Sequence, residues 1–126
     1  MFSLLLVCGN WQHCYTNMKL IKIIIQPNKL DEVVGKLQTI VAGMTVSEVR
    51  GYGNQKGQPL LYRGLEYQVN LLPKAMIEII TEDNKVDDVV KLAIETAHTG
   101  QIGDGRIFVI PLAENYHVRT GFMDLD

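Results

Sequence analysis

Two segments of this 126-residue chain repeat each other at a fixed spacing of 56 residues, the distance from Lys29 to Lys85. The first copy reads Ile-Lys-Ile-Ile-Ile, then Asn-Lys-Leu-Asp-Glu-Val-Val, over residues 21–34. The second reads Ile-Glu-Ile-Ile-Thr, then Asn-Lys-Val-Asp-Asp-Val-Val, over residues 77–90. Each copy joins a β-branched run, typical of a strand, to apolar residues at helical spacing. The alignment needs no gap, so chance similarity of two amphipathic helices explains it poorly.

The repeat predicts two strand-helix-strand units. Strands are expected over residues 18–26, 45–50, 74–81 and 106–111, with a helix after the first strand and another after the third. Asn28 is the expected N-cap of the first helix, and Gly43 its expected end. We therefore predict an α+β chain with the split βαβ, or ferredoxin-like, arrangement: an antiparallel sheet with both helices on one face.

Both faces of this predicted sheet are apolar. Residues 23–25, 79–80 and 107–110 are consecutive large apolar residues, whereas a solvated face would alternate with polar ones. Two helices cover only one face, so the other is expected to be an interface between copies of the chain in a closed homo-oligomer. Alternatively, the long central loop or the first 17 residues fold back over it.

The connection between the second and third strands is unusually long. It runs from Gly51 to Tyr67, is rich in glycine, and carries two tyrosines and an arginine towards its far end. Strands this close in sequence are normally joined by two to five residues. We interpret the segment as a mobile recognition arm, and simple disorder is the alternative.

A second glycine cluster, Thr-Gly-Gln-Ile-Gly-Asp-Gly-Arg over residues 99–106, links the second helix to the last strand. One interpretation is a helix C-cap at Gly100 followed by a tight turn. The other is a phosphate cradle, in which backbone N–H groups converge on an anion beside Arg106. The glycines of residues 51–57 and the segment 119–121 are further candidate anion contacts.

The sequence shows no catalytic or metal-binding constellation. His13, His98 and His117 are scattered without ligand spacing, and His98 is expected to end the second helix. The formal net charge of −2 gives no electrostatic reason to expect nucleic acid as a partner.

The first 17 residues differ from the rest of the chain. They hold both cysteines, Cys8 and Cys14, so the body carries none, which favours a reducing compartment. No apolar run approaches the roughly 20 residues that span a bilayer, so no direct membrane insertion is expected. We predict that residues 1–17 are a leader or extension outside a domain of residues 18–126, with a packed N-terminal extension as the alternative.

Four segments together resemble one family. Residues 61–67 (Leu-Tyr-Arg-Gly-Leu-Glu-Tyr), 72–74 (Leu-Pro-Lys), 99–109 (Thr-Gly-Gln-Ile-Gly-Asp-Gly-Arg-Ile-Phe-Val) and 118–121 (Val-Arg-Thr-Gly) are similar to signature segments of the PII nitrogen-regulatory signalling proteins. The resemblance implies a cytoplasmic, non-enzymatic homotrimer that binds ATP or ADP in intersubunit clefts, often with Mg²⁺ and 2-oxoglutarate. It also implies that the arm, the T-loop, docks on an ammonium transporter or on enzymes or regulators of nitrogen metabolism.

The resemblance also assigns roles to segments and residues. It places a T-loop over residues 53–71, a phosphate-binding B-loop over residues 98–106 and a C-terminal segment over residues 115–126. The implied ligand-binding residues are Thr45, Gly53, Asn54, Gln55, Lys74, Glu78, Gly103, Asp104, Gly105, Arg106, His117 and Arg119.

Within this set, Gln55 is implied to hold Mg²⁺ together with the ATP phosphates, and Lys74 to pair with a carboxylate of 2-oxoglutarate. Thr45 and Glu78 are implied to lie near the nucleoside, and Arg119 is implied to contact the nucleotide phosphates from the neighbouring subunit. The implied partner-binding residues are Tyr62, Arg63 and Tyr67, and Tyr67 is also the candidate for covalent modification.

Three positions depart from the commonest family pattern. Gln101 and Arg106 stand where lysine is frequent, and His117 stands where arginine is usual. Because arginine and lysine bind phosphates differently and a free imidazole is mostly neutral at pH 7, the nucleotide preference is open. Two rival functions stay open as well: a relative that binds adenine nucleotides but ignores 2-oxoglutarate, and an enzyme of phosphoryl transfer.

Overall fold

A four-stranded antiparallel sheet with two helices on one face forms the body of the protein. The computed structural model describes residues 17–53, 60–62, 65–67 and 71–123. Its elements in chain order are β1 (Met18–Ile25), α1 (Leu30–Leu37), β2 (Thr45–Gly51), β3 (Leu60–Tyr62), β4 (Leu65–Tyr67), β5 (Leu72–Glu82), α2 (Val86–Ala97) and β6 (Gly105–Pro111). The strand order is β2-β5-β1-β6, with every pair antiparallel. The ferredoxin-like prediction is confirmed.

The hydrophobic core lies between the sheet and the two helices. Alternate residues of β1 and β5 point towards the helices and are fully or almost fully buried, as the two-residue period of a strand requires. Apolar residues at helical spacing on α1 and α2 meet them. The core comprises Ile21, Ile23, Ile25, Ala75, Ile77 and Ile79 of the sheet, with Val33, Leu37, Val89, Ala93 and Ala97 of the helices.

The internal repeat extends to a detail that the sequence did not reveal. A short 3-10 turn precedes each helix, Pro27–Lys29 in the first unit and Asp83–Lys85 in the second, at the same spacing of 56 residues. The prediction that Asn28 caps α1 is therefore wrong. The fixed backbone of Pro27 starts the turn, Lys29 N–H donates to the Gln26 carbonyl over 3.0 Å, and the helix begins only at Leu30.

Helix α1 is also shorter than predicted, because it ends at Leu37 and not near Gly43. Thr39 N–H and the Thr39 hydroxyl both donate to the Lys36 carbonyl, and Ile40 N–H donates to the Leu37 carbonyl over 3.0 Å. These bonds tighten the last turn and occupy carbonyls that a continuing helix would use. Ile40 still packs against the core, as its spacing from the helical residues predicts, but it lies in the turn that follows the helix.

The long connection between β2 and β5 contains a hairpin that we did not predict. Strands β3 and β4 pair antiparallel, with Leu60 opposite Tyr67 and Tyr62 opposite Leu65. Two residues separate the strands in sequence, the spacing of a tight hairpin. Residues 54–59, 63–64 and 68–70 lie outside the described residues, so the expectation of a mobile arm stays a prediction.

The sheet face away from the helices carries exposed large apolar side chains together with a few charged ones. Ile80, Phe108 and Ile110 on this face remain 48%, 43% and 39% exposed. Lys22 and Glu78 are register partners near its centre. This face would cost solvation free energy in a lone chain, which supports the prediction of an interface.

The N-terminal boundary of the fold is only partly visible. The carbonyl of Asn17 accepts a hydrogen bond of 2.9 Å from Asp83 N–H, which continues the contact between β1 and β5 by one residue. Residues 1–16, including Cys8, His13 and Cys14, lie outside the described residues, so the leader stays a prediction. Within the described ranges, none of the helices is both long and apolar enough to cross a membrane.

Strand β6 begins where two backbones approach closely. Gly105 has φ +114°, and a Cβ placed there would lie 1.8 Å from the carbonyl oxygen of Ile24. Gly105 is also the register partner of Ile25, so the glycine loop enters the sheet directly against β1. Only glycine satisfies this conformation and this contact together.

The first prediction concerns the core. Replacing Ile79, which is fully buried, by alanine should lower the free energy of unfolding by about 2–5 kcal/mol, because it leaves a cavity under the helices. The same substitution at Ile94, which is 52% exposed on α2, should cost about 1 kcal/mol or less. Urea denaturation measures both variants, and equal losses would contradict the assigned core.

The second prediction concerns the entry of β6. Gly105→Ala should lower the free energy of unfolding by at least about 2 kcal/mol, since the new Cβ meets the β1 backbone in an unfavourable region of φ. Gly43→Ala is the matched control, because a Cβ there meets nothing within 4 Å. Denaturation of the two variants side by side would contradict the assignment if Gly105→Ala proved as stable as the control.

Candidate functional site

A cleft of about 600 Å³ opens where the glycine loop meets the ends of β2 and β5. The loop supplies one wall, the exit of β2 the opposite wall, and the start of β5 places Lys74 between them. The lining residues are Ile24, Gly51, Tyr52, Gly53, Leu72, Lys74, Gln101, Ile102, Gly103, Asp104, Gly105, Arg106 and Phe108. Both glycine-rich segments of the sequence therefore reach the same cavity.

The carboxylate of Asp104 organises the glycine loop. It accepts hydrogen bonds from Thr99 N–H over 2.8 Å, from Gly100 N–H over 2.9 Å and from the Thr99 hydroxyl. His98 ends α2 as predicted, and its N–H donates to the Ile94 carbonyl over 2.9 Å. The interpretation of Gly100 as the helix cap is wrong, since the helix has already ended when Gly100 turns the chain with φ +85°.

The hydrogen bonds to Asp104 favour its ionised form. The Thr99 hydroxyl is the largest cause that lowers the pKa of this carboxyl, followed by Thr99 N–H, while partial desolvation opposes them. His98 lies near, with Nδ1 3.8 Å from the Asp104 carboxylate. Asp104 thus maintains the loop and has its oxygens occupied by loop donors.

Lys74 lies against the inner side of the same loop. Its Nζ donates to the Gly103 carbonyl over 3.0 Å, and Gln26 Nε2 donates to that same carbonyl over 2.8 Å. Burial lowers the pKa of Lys74 from its usual value of 10.5, and the charge of Asp104 acts in the opposite direction. An additional negative charge in the cleft would therefore stabilise the Lys74 ammonium.

The chemistry of the cleft suits an anion. Lys74 and Arg106 contribute positive charge, and Gly103 and Gly105 have positive φ, a conformation in which glycine backbones expose N–H groups in anion-binding loops. Apolar side chains, Ile24 and Phe108 among them, line the rest. In the part of the chain that the structure describes, no group of three His, Cys, Asp or Glu could hold a metal ion alone.

Six of the predicted ligand-binding residues lie together in this cleft: Gly53, Lys74, Gly103, Asp104, Gly105 and Arg106. They come from three separate parts of the sequence. The pairing of β1 with β5 and β6, and of β2 with β5, brings these parts together.

Four predicted residues lie elsewhere in the single chain. Thr45 and Glu78 are register partners on β2 and β5 but do not line the cleft. His117 and Arg119 lie in a C-terminal turn closed by a bridge between Tyr116 and Met123, and they do not line it either. Asn54, Gln55 and Arg63 fall outside the described residues, and for Tyr62 and Tyr67 only the pairing of the hairpin backbone is described.

The sequence did not single out the apolar lining or Gln26. The sequence pattern indicates only that Ile24 and Phe108 are strand residues. The two-residue period of a strand would place them on the face opposite their buried neighbours. Gln26 read as the last residue of a strand, and nothing local in the sequence distinguishes it. Its contact with Gly103 spans 77 positions.

Comparison with known proteins gives a consistent family. The family described as nitrogen regulatory protein P-II matches residues 18–122. A nitrogen regulatory protein P-II of Microchaete diplosiphon is 52% identical over 105 residues, covering 82% of this chain and 94% of the relative. The nitrogen regulatory protein GlnK of Escherichia coli strain K12 is 47% identical over 108 residues, covering 85% and 96%.

A solved structure agrees with the fold. The crystal structure of Arabidopsis thaliana PII bound to citrate has a TM-score of 0.68 to this chain at 33% identity, covering 86% of this chain and 90% of that one. The relatives are named as regulatory proteins, and the match includes every strand and helix described above. The chain therefore belongs to the nitrogen regulatory protein P-II family, and its function lies in nitrogen regulation.

Proposed function

We propose that this protein is a cytoplasmic, non-enzymatic signal transducer that binds ATP or ADP and, with Mg²⁺, 2-oxoglutarate. In this proposal the ligands bind in clefts between the subunits of a homotrimer, and the T-loop between β2 and β5 reports their presence. Its targets are an ammonium transporter or enzymes or regulators of nitrogen metabolism. The observation that carries the proposal is the cleft in which a glycine loop, Lys74 and Arg106 lie together.

The glycine loop supports the nucleotide part of the proposal. A polyphosphate needs several converging donors and a compensating charge, and the loop from Thr99 to Arg106 offers exposed backbone together with a guanidinium. Apolar residues beside the loop suit a purine base, which buries a flat and largely apolar surface. Asp104 holds this loop in one conformation before any ligand arrives, which lowers the ordering cost of binding.

The half-buried ammonium of Lys74 supports the acid-binding part. Lys74 lies in the cleft at a site where burial disfavours its charge, so a carboxylate would be attracted to it. The related Arabidopsis protein was crystallised with citrate, itself a polycarboxylate. We assign a carboxylate of 2-oxoglutarate to Lys74.

The described donors of the cleft fit Mg²⁺ only in company with phosphates. Asp104 is the carboxylate in the lining, and its oxygens already accept three hydrogen bonds from the loop. Gln55 and the phosphate oxygens would hold the ion, and Mg²⁺ would supply a bridge between phosphates and keto acid through oxygen ligands. The chain's own residues bind and orient the anions.

The open apolar face supports the homotrimer. Ile80, Phe108 and Ile110 lie there with two-fifths to a half of their surface exposed, and burial against other copies would recover their hydrophobic free energy. His117 and Arg119 lie outside the cleft of their own chain. In the trimer we assign them, with Thr45 and Glu78, to the cleft completed by a neighbouring subunit.

The hairpin within the T-loop supports a role in partner binding. Strands β3 and β4 form a two-stranded ribbon separate from the main sheet. The edge of a two-stranded ribbon can pair with a strand of a partner, which is a common mode of recognition. We assign Tyr62, Arg63 and Tyr67 to this role, with Tyr67 as the modification candidate.

The third prediction tests acid binding. In calorimetric titrations, 2-oxoglutarate should bind to the protein with Mg²⁺ and ATP present and not without them, because the dianion enters beside a polyphosphate. Lys74→Met removes the charge at similar length and should weaken acid binding by about 2–5 kcal/mol. ATP affinity should change much less, since Gln26 still holds the Gly103 carbonyl.

Lys91→Met, an exposed site on α2, is the matched control and should leave both affinities unchanged. Acid affinity should also fall as the pH rises through the pKa of Lys74, which burial lowers from its usual value, because the ligand binds the ammonium form. Wild-type binding of ATP without any binding of the acid would favour the rival that senses nucleotide alone. Steady ATP hydrolysis would favour the enzymatic rival.

The fourth prediction tests assembly. Light scattering of the wild-type protein should give the mass of three chains at micromolar concentration. Ile80→Glu should shift the mass towards one chain, because a carboxylate would be buried in the apolar interface. Ile94→Glu, a similarly exposed isoleucine on the helix side of the sheet, should keep the trimer. A wild-type monomer would contradict both the interface and the intersubunit cleft.

A further inference from the structure

The carbonyl oxygen of Gly103 is where three parts of the chain meet. Gln26 Nε2 donates to it over 2.8 Å from the end of β1, and Lys74 Nζ donates to it over 3.0 Å from the start of β5. A backbone carbonyl has two lone pairs, so it accepts both donors together. Both contacts are partly buried and join the sheet to the glycine loop.

Holding this carbonyl fixes more than one atom. The peptide that joins Gly103 to Asp104 is planar and trans, so its N–H points away from the two donors. The same peptide positions Asp104, whose carboxylate ties back to Thr99 and Gly100. Gly103 itself has φ +100°, and its freedom would let this peptide rotate if both donors left. The two hydrogen bonds therefore fix the Gly103–Asp104 peptide against the sheet, while the Asp104 carboxylate closes the loop itself.

The two donors differ in what can draw them away. Lys74 is a cation, so a carboxylate entering the cleft competes with the Gly103 carbonyl for its Nζ. Gln26 is neutral and gains little from exchanging a carbonyl for a carboxylate at the same distance. An acidic ligand would therefore recruit Lys74 and leave Gln26 in place.

We propose that Gln26 is a positioning residue that holds the Gly103 carbonyl, and with it the phosphate-binding loop, when an acidic ligand recruits Lys74. Lys74 can then exchange the Gly103 carbonyl for the ligand carboxylate, and the loop keeps its conformation because Gln26 still holds that carbonyl. The part of this inference that involves ligands rests on the proposed function. The redundancy of the two donors does not, and it can be measured in the ligand-free protein.

The ligand-free experiment measures amide hydrogen exchange over residues 99–107 in four proteins: wild type, Gln26→Met, Lys74→Met and the double variant. Methionine keeps the approximate length of each side chain and removes its donor. Each single variant should exchange within about twofold of wild type, because one donor remains. The double variant should exchange at least about tenfold faster. Purely additive effects would overturn the shared role of the two donors.

The ligand experiment measures ATP affinity, with Mg²⁺, in the absence and presence of saturating 2-oxoglutarate. Without the acid, Gln26→Met should bind ATP within about twofold of wild type. 2-Oxoglutarate should raise the ATP affinity of wild type by a larger factor than that of Gln26→Met. We expect the two factors to differ about fivefold or more, the equivalent of one neutral hydrogen bond. At pH 8, Gln26→His keeps a mostly neutral side-chain N–H donor and should recover part of the enhancement, which a merely structural defect would not predict.

An enhancement in Gln26→Met equal to that of wild type would overturn the inference. If wild type shows no effect of the acid, the proposed function fails, and the exchange experiment alone decides the role of Gln26. If the double variant does not fold, the comparison between Gln26→Met and Gln26→His still decides it, since both are single changes at a half-buried position.

Discussion

The two hydrogen-bond ladders of β1 determine the geometry of the site. Ile25 faces Ala75 across one ladder and Gly105 across the other. Lys74 precedes Ala75 and Asp104 precedes Gly105, so the ladders bring a cation from one end of the T-loop to the glycine loop. A slip of one residue in either ladder would exchange the two faces of the strand. The buried isoleucines of β1 and β5 prevent that slip, and the cleft therefore depends on the core.

The sequence predicted the fold well where a pattern was long and repeated. Two copies of one strand-helix unit show the same spacing of apolar residues, so each copy supports the structural interpretation of the other. It failed at the ends of α1. Ile40 packs against the core from a non-helical segment after α1. Its apolar character alone does not show whether the helix continues to that position. Asn28 looked like a cap, but Pro27 had already started a 3-10 turn that satisfies the first donors by backbone bonds.

The sequence predicted the chemistry of the site better than its geometry. A glycine cluster carries its chemistry in its residue types, so Gly103 and Gly105 could be chosen before their positions were known. Lys74 was implied only by the family resemblance of residues 72–74. Gln26 has no such signature, since its role arises from a contact with a residue 77 positions away. The separation of Thr45 and Glu78 from the cleft is what the proposed trimer would produce, since a site shared between chains is incomplete in one of them.

In the proposed function, the Gly103 carbonyl and an acidic ligand compete for Lys74, and this competition would couple acid binding to the glycine loop. A lysine fully exposed to water would bind a carboxylate with little effect on its neighbours, because water would replace the lost contacts. Lys74 instead lies where burial disfavours its charge and where its Nζ already holds a backbone carbonyl. An acid that recruits it gives up part of its affinity to that competition, and the Gly103 carbonyl then depends on Gln26. Coupling between two ligands requires that one of them alter contacts on which the other depends. The Gly103 carbonyl is such a contact, since it joins the residue that would bind the acid to the loop that would bind the phosphates.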